Sequence, residues 1–376
     1  MLRHTVGSGD WFTLRDGLSH CVRKWEERRW RRVAFLGGSI THNPGWRELV
    51  MTDIRRRFPD IKFEFVNCGI PSFGSTPGAF RYARDVNRRG RPDLLFVEAA
   101  VNDSTNGRSE TEMIRGMEGI VRQARLTDPT LDIVMMHFVD PAKMREIDQG
   151  RVPVVIKQHE RVAERYGVAS LDLASEVTAR IAAGEFTWKD DFRDLHPSPF
   201  GQKLYAASIA RLLDASWANP EPAPSLRTVP APVDPHCYQF GRMYHPDHAR
   251  GGTRWRVDRR WRPTDGKGTR RGFVNVPMVI LDAPGDSVSF RFEGTACGIM
   301  VAAGPDAGVI ESRVDGGAWK RTDLRTRWSG ALHLPWTHVL HAELPKDTHM
   351  LDIRLVASGS GETAARIAWF LANATP

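Results

Sequence analysis

Between Arg32 and Trp217, short apolar runs that end in glycine or polar residues alternate with longer stretches whose apolar residues recur at helical spacing. Few folds accept this pattern. A run too short for a helix, followed by an amphipathic helix and then another run, builds βαβ units around a parallel sheet. The first run, Arg32-Val33-Ala34-Phe35-Leu36-Gly37, reads as a buried strand entering a tight loop. Further strands are expected at 62–67, 92–100, 131–136 and 168–171. Helices are expected at 45–58, from Pro77 to about Arg89, and at 110–126, 154–166, 173–183 and 200–217.

Prolines 220, 222, 224, 230, 232 and 235 then mark a linker or wrapping strap with polyproline character. Beyond His236 the texture changes to short alternating segments: 273–281, 287–292, 297–301, 309–314, 339–344 and 349–356. Turn signals such as Asp315-Gly316-Gly317 separate them. This pattern predicts an all-β sandwich, jelly-roll-like. The expected organisation is an N-terminal extension over 1–30, an α/β domain over 31–217, a proline-rich linker over 218–235 and the β-sandwich over 236–376.

The chain of 376 residues is 41% hydrophobic and carries a formal charge of +8, ordinary for a globular protein apart from its arginine excess. The densest basic run, Arg23 to Arg32, is diluted by Glu26 and Glu27 and matches no nucleic-acid-binding motif, so it is expected to be a solvated helix face. No apolar stretch is long enough to span a membrane. The N-terminus lacks a continuous apolar segment, so a cytoplasmic location is expected, or secretion after removal of a leader. Cys21, Cys68, Cys237 and Cys297 lie far apart with no zinc spacing and are expected to be buried. No cofactor or metal is expected; Tyr244-His245-Pro246-Asp247-His248 is the weak alternative for a metal.

Ligands of open parallel sheets bind at the carboxyl ends of the strands. Those ends read Gly37-Gly38-Ser39-Ile40-Thr41, then Asn67-Cys68-Gly69-Ile70-Pro71-Ser72-Phe73-Gly74, then Ala99-Ala100-Val101-Asn102-Asp103. Asp194-Leu195-His196-Pro197 precedes the last helix. Taken singly, Ser39 is a helix cap, Asn102-Asp103 a turn and His196 a surface histidine. Together they supply what acyl transfer needs: a hydroxyl nucleophile, a base within reach, an orienting acid and oxyanion donors. Ser39 would attack the carbonyl and His196 would take its proton, with activity rising as His196 becomes neutral. Asp194 would orient the imidazole, with Asp191 as the alternative. The oxyanion would be met by the Ser39 amide, an amide from the Ser72–Gly74 turn and the Asn102 carboxamide. Glu98 reads as a buried structural acid, Trp46 as core packing and His42 as a loop residue at the site mouth.

Ser, Gly, Asn and His in four blocks, in this order, resemble the SGNH hydrolases, or GDSL-type esterases, over about residues 30–215. The resemblance implies a flavodoxin-like three-layer α/β/α sandwich and hydrolysis of esters, acetyl groups on sugars among them. The chain departs from that pattern in three places. One residue rather than two separates Asp194 from His196, and the usual aspartate position holds Arg193. The second-block glycine aligns with Ser72, Gly74 following two residues later. The serine block is Gly-Gly-Ser-Ile, which removes one acidic neighbour.

The expected partner is a carbohydrate or other small ester, with no nucleic acid and no membrane; the oligomeric state is open. Trp255, Trp261, Trp319, Trp328 and Trp336 of the β-module could stack on sugar rings or fill its core. A lipase or thioesterase on the same residues stays open, as does a glycan-cleaving or transferring enzyme using Asp191 and Asp194 as paired carboxylates. A carbohydrate-binding protein with a relic site is the non-enzymatic alternative.

Overall fold

The computed structural model describes residues 10–27, 29–88, 90–218, 220, 225–357 and 363–375. Arg28 of the basic run and Pro222 and Pro224 of the proline-rich segment lie outside these. The chain divides into two units, Met1–Ser75 with Val86–Pro235, and Thr76–Asp85 with His236–Pro376. Among the described residues no helix is long and apolar enough to cross a membrane. All four cysteines are buried, and none of them forms a disulfide.

The first unit opens with β1 (Phe12–Thr13), α1 (Ser19–Glu27), β2 (Trp30–Gly37), the one-turn α2 (Ser39–His42), α3 (Trp46–Arg57) and β3 (Lys62–Gly69). Helix α4 (Ser75–Asp85), all but its first residue in the second unit, follows in the chain, then β4 (Leu94–Glu98), α5 (Ala100–Thr105), α6 (Glu110–Thr127) and β5 (Asp132–Met136) of the first. The unit ends with α7 (Pro141–Asp148), α8 (Val154–Arg165), β6 (Ala169–Leu171), α9 (Leu173–Ala182), a π-turn at Trp188–Phe192 and α10 (Pro199–Trp217).

Its sheet has the order β1-β6-β5-β4-β2-β3. Strands β2 to β6 are parallel and β1 closes one edge antiparallel. The apolar runs read from sequence are the buried strands of this sheet: Val33, Ala34, Phe35, Leu94, Leu95, Phe96 and Val97 are all fully buried. Because helices cover both faces, such strands show no alternation. From β2 the chain goes to β3 on one side and then to β4 on the other. This is the doubly wound flavodoxin-like order, whose crevice lies at the carboxyl end of its first parallel strand.

The basic run is not a solvated face throughout. Cys21, Val22 and Trp25 turn α1 inward, and Trp25 meets Phe58, Phe63 and Trp217 edge-on at 5.0, 4.9 and 5.4 Å. Arg31 and Arg32 begin β2 and are buried. Arg32 Nη2 pairs with Glu64 at 2.6 Å and Arg31 Nη1 lies 3.8 Å from Asp93. Arginine stems cover apolar surface while their heads find acids, which charge counting along a sequence cannot show.

Residues 225–235 lie along the first unit. Glu118 accepts the Val233 and Asp234 amides at 2.5 and 2.9 Å, Arg122 donates to the Pro230 carbonyl at 2.6 Å, and Arg227 pairs with the buried Asp132 at 2.6 Å. The Val233 and Asp234 amides, between two prolines, thus find an acceptor on Glu118.

The second unit combines most of α4 with β7 (Gly241–Tyr244), β8 (Ala249–Thr253), β9 (Arg256–Trp261), β10 (Gly268–Thr269), β11 (Val276–Leu281) and β12 (Ser287–Ala303). Then come β13 (Val309–Val314), β14 (Lys320–Asp323), β15 (Leu332–His341), β16 (Asp347–Val356) and β17 (Ala365–Ala374). It is antiparallel apart from the short β10–β15 pair. Segments expected as two strands, 287–292 and 297–301, are halves of β12. Gly294, at φ +152°, kinks the chain without ending it. The first half pairs with β16 and the second with β15. Of the five tryptophans, Trp261 is buried and the others are half-buried. Trp319 lies under the guanidinium groups of Arg313 and Arg354, at 4.4 and 4.1 Å. The Tyr244–His248 segment is a short turn whose His245 Nδ1 accepts the Asp247 amide at 3.3 Å. Among the described residues no group of three potential metal ligands is present.

Candidate active site

Strand β2 lies between β3 and β4, so the loops leaving these three strands meet. Ser39 begins α2, directly after Gly37-Gly38. As the first residue of a helix it leaves its amide without an intrahelical acceptor. The turn is fixed from below by Glu98, the last residue of β4 and 2% exposed. Its Oε1 accepts the Gly38 amide at 2.6 Å and the Thr41 hydroxyl at 2.8 Å. A Cβ at Gly37 would collide with that carboxylate, and one at Gly38 with Asn102 Oδ1. The Gly-Gly pair is therefore needed for close approach, and Gly38 brings the serine turn against Asn102.

His196 comes from the far end of the unit. The π-turn and Arg193, at φ +79°, swing the chain back. Ser198 then caps α10, its Oγ accepting the Phe200 amide at 3.2 Å. His196 Nε2 lies 2.6 Å from Ser39 Oγ, the geometry in which a neutral imidazole accepts the serine proton. Gln202 secures the loop: it donates to the Pro197 carbonyl at 3.2 Å and accepts the Trp46 amide at 2.8 Å. Trp46 is far away in sequence, and no motif signals the link.

Asp194 Oδ2 stands 3.8 Å from His196 Nδ1, while Oδ1 accepts the Leu195 amide at 2.5 Å. This is ion-pair distance rather than a hydrogen bond. Asp191 is engaged elsewhere, accepting the amide and hydroxyl of Thr187 at 2.8 and 3.1 Å.

After β3, Ile70–Phe73 forms a turn closed by the Phe73 amide on the Ile70 carbonyl at 3.1 Å, with Ser72 at φ +72°. Proline second and a left-handed third residue define a type II turn, which prefers glycine at the third place. Serine there costs about 1–2 kcal/mol. Among the described residues no acceptor faces the Ser72 or Gly74 amides, and the Asn102 carboxamide has no hydrogen-bond partner. Asn102 lies on α5, a helix where the sequence suggests only a turn, and is 9% exposed.

Next to Asn102 on α5, Asp103 is fully buried and accepts from His159 Nε2 at 3.1 Å. Burial drives the His159 pKa down although Asp103 opposes this. Lys143, also buried, donates to Ser104 Oγ at 2.8 Å. Trp46 is fully buried and donates to the Ile40 carbonyl at 3.0 Å, so it belongs to the core. His42 Nδ1 contacts the Gly69 carbonyl at 3.0 Å.

No curated protein matches the sequence. The GDSL-like Lipase/Acylhydrolase family model matches residues 35–204. Among solved structures, a two-domain esterase (CEX) active on acetylated mannans aligns with 96% of this chain and 98% of its own, at 21% identity and TM-score 0.75. A structure of such an esterase co-crystallized with mannopentaose aligns over the same shares at 21% identity and TM-score 0.72. Axe2, an acetylxylan esterase from Geobacillus stearothermophilus, covers 49% of this chain and 94% of its own at 19% identity and TM-score 0.38. Residues 35–204 are a domain of the GDSL-like lipase/acylhydrolase family, and the chain that carries it is a carboxylic ester hydrolase.

Proposed function

We propose that the protein removes small acyl groups, acetyl foremost, from carbohydrate, with Ser39 as nucleophile and His196 as base. The observation that carries this reading is the 2.6 Å approach of His196 Nε2 to Ser39 Oγ. The serine proton passes to His196 as Ser39 Oγ bonds to the acyl carbon. The tetrahedral oxyanion is met by the amides of Ser39 and of the Ser72–Gly74 turn and by the Asn102 carboxamide. Collapse expels the sugar alkoxide, which takes the proton from His196, and a water repeats the sequence to release acetate. The carbohydrate substrate is supported by likeness across both units to an esterase active on acetylated mannans.

Asp194 contributes charge rather than a hydrogen bond, because 3.8 Å separates it from an imidazole that is itself exposed. Ser39→Ala should lower acetate release from 4-nitrophenyl acetate and from acetylated mannan oligosaccharides by about ten-thousandfold or more. Asp194→Asn should cost about tenfold or less. Acetate release that survives Ser39→Ala would sink the nucleophile assignment. Turnover of long-chain but not acetyl esters would move the substrate to lipids.

A further inference from the structure

Resting on the oxyanion role proposed above for the Ser72 turn, we propose that Asn106 and Asp103 are positioning residues that hold this turn in its type II form and so aim the Ser72 amide at the oxyanion. Type I and type II turns differ by a flip of the central peptide, here the Pro71–Ser72 bond. That flip reverses the Ser72 N–H. A serine left to itself avoids φ near +72°, so an outside constraint must select the form whose amide faces the reaction.

Two constraints are present, and both come from the helix and cap that carry Asn102. Asn106, the C-cap of α5, donates its Nδ2 to the Ser72 carbonyl at 2.9 Å. Asp103 accepts the Ser75 amide at 2.8 Å and the Ser75 hydroxyl at 2.5 Å. The turn is thus gripped at Ser72 and again at Ser75. Gly74 lies so close to Asp103 that a Cβ there would strike its carboxylate. With His159 behind Asp103, the side-chain donor at Asn102 and the backbone donor at Ser72 are registered to one rigid piece. Preorganised donors of this kind act on the transition state and leave ground-state binding almost untouched.

The test is Asn106→Asp, which keeps the size and removes the donor. On 4-nitrophenyl acetate we expect kcat to fall about ten- to hundredfold with KM within about threefold. Adding Ser72→Gly, which accepts positive φ without strain, should recover most of the lost kcat. A merely structural role for Asn106 would show no such rescue. An Asn106→Asp enzyme with wild-type kcat, or a loss that Ser72→Gly does not relieve, overturns the inference. Should Asn106→Asp fail to fold, Ser72→Val tests the same point: a β-branched residue at this φ should cut kcat with KM held, and wild-type kcat would refute the proposal. Ser39→Ala run in parallel separates the failures. Full activity there removes the site reading itself, whereas an inactive Ser39→Ala beside an unaffected Asn106→Asp removes only the positioning role.

Discussion

Glu98 shows how much one side chain carries at the residue scale. Burial, the largest influence, pushes its carboxyl up to about 7, against the pull of the Gly38 amide and Thr41 hydroxyl; Asp103 adds to the rise. Both donors reach Oε1, so the acid can hold its proton on the other oxygen and still fix the serine turn. From about pH 4.5 to about 7 the unfolded chain releases this proton while the folded chain keeps it. Stability therefore falls as pH rises through that window, by about 3 kcal/mol in total, and the contribution is level above it. Glu98→Gln keeps the acceptor and removes the titration. Urea unfolding at pH 5 and pH 8 should show the variant gaining on the wild type toward pH 8, with kcat at pH 6 within about threefold. Parallel pH dependence in the two proteins would show that Glu98 ionises normally in the fold. That an acid at this place serves structure was legible in the apolar run around it; which groups it holds was not, because Gly38 and Thr41 are distant in sequence.

At the scale of elements, fully buried strands were the easiest to read, since continuous apolar runs such as Leu94–Val97 have few other uses. Short helices were the hardest. Helix α5, with the sequence Ala-Val-Asn-Asp-Ser-Thr, is too brief for a helical period and rich in residues that favour turns. It forms because His159 and Lys143 meet its polar side chains from behind. In the β-unit, Asp315-Gly316 was legible as a turn: both residues are left-handed, at φ +52° and +73°, and the Gly317 amide closes the turn on the Val314 carbonyl at 2.9 Å within the longer connection from β13 to β14. Its tie to β16 was not legible. His349 has acceptors on both nitrogens, Asp315 Oδ2 at 2.6 Å and the Pro345 carbonyl at 2.8 Å, so both bonds need the imidazolium. Burial opposes that charge, yet the Asp315 and Pro345 bonds outweigh it and raise the His349 pKa. The resulting stabilisation is fully present below the ordinary histidine value of about 6.5 and is lost as pH rises through the raised one. His349→Gln should flatten the decline of β-unit stability above neutral pH, followed by hydrogen exchange at Met350. An unchanged decline would place the titration elsewhere.

For the whole molecule, the division of the chain matters. Residues Thr76–Asp85 belong with His236–Pro376, although 150 residues separate them in sequence. In the second unit Phe80 meets Tyr238 in a tilted pair at 5.0 Å, Arg84 covers Trp369 at 4.7 Å and Gly241 packs against the Ala79 carbonyl. A chain ended at Pro235 would keep the residues of the family match but lose the partners of Phe80 and Arg84. It should bind a hydrophobic dye and melt below the full protein, with acetate release reduced. A truncated chain with full-length melting and activity would show that α4 needs none of those partners.

The alternation of the main strands with the longer helices, the parallel class of the first sheet, the all-β texture of the second unit and the four blocks of candidate site residues follow from local sequence. Periodicity, apolar runs and glycine placement are written within a few residues of one another and are set by backbone geometry. Tertiary structure alone decided that His196 reaches Ser39 while Asp194 stops 3.8 Å from the imidazole. It also decided that Ser72 is held left-handed by Asn106 and that arginines of the basic run are buried against acids. Each of these depends on distances between residues far apart along the chain, which chain closure and packing set and which no local pattern encodes.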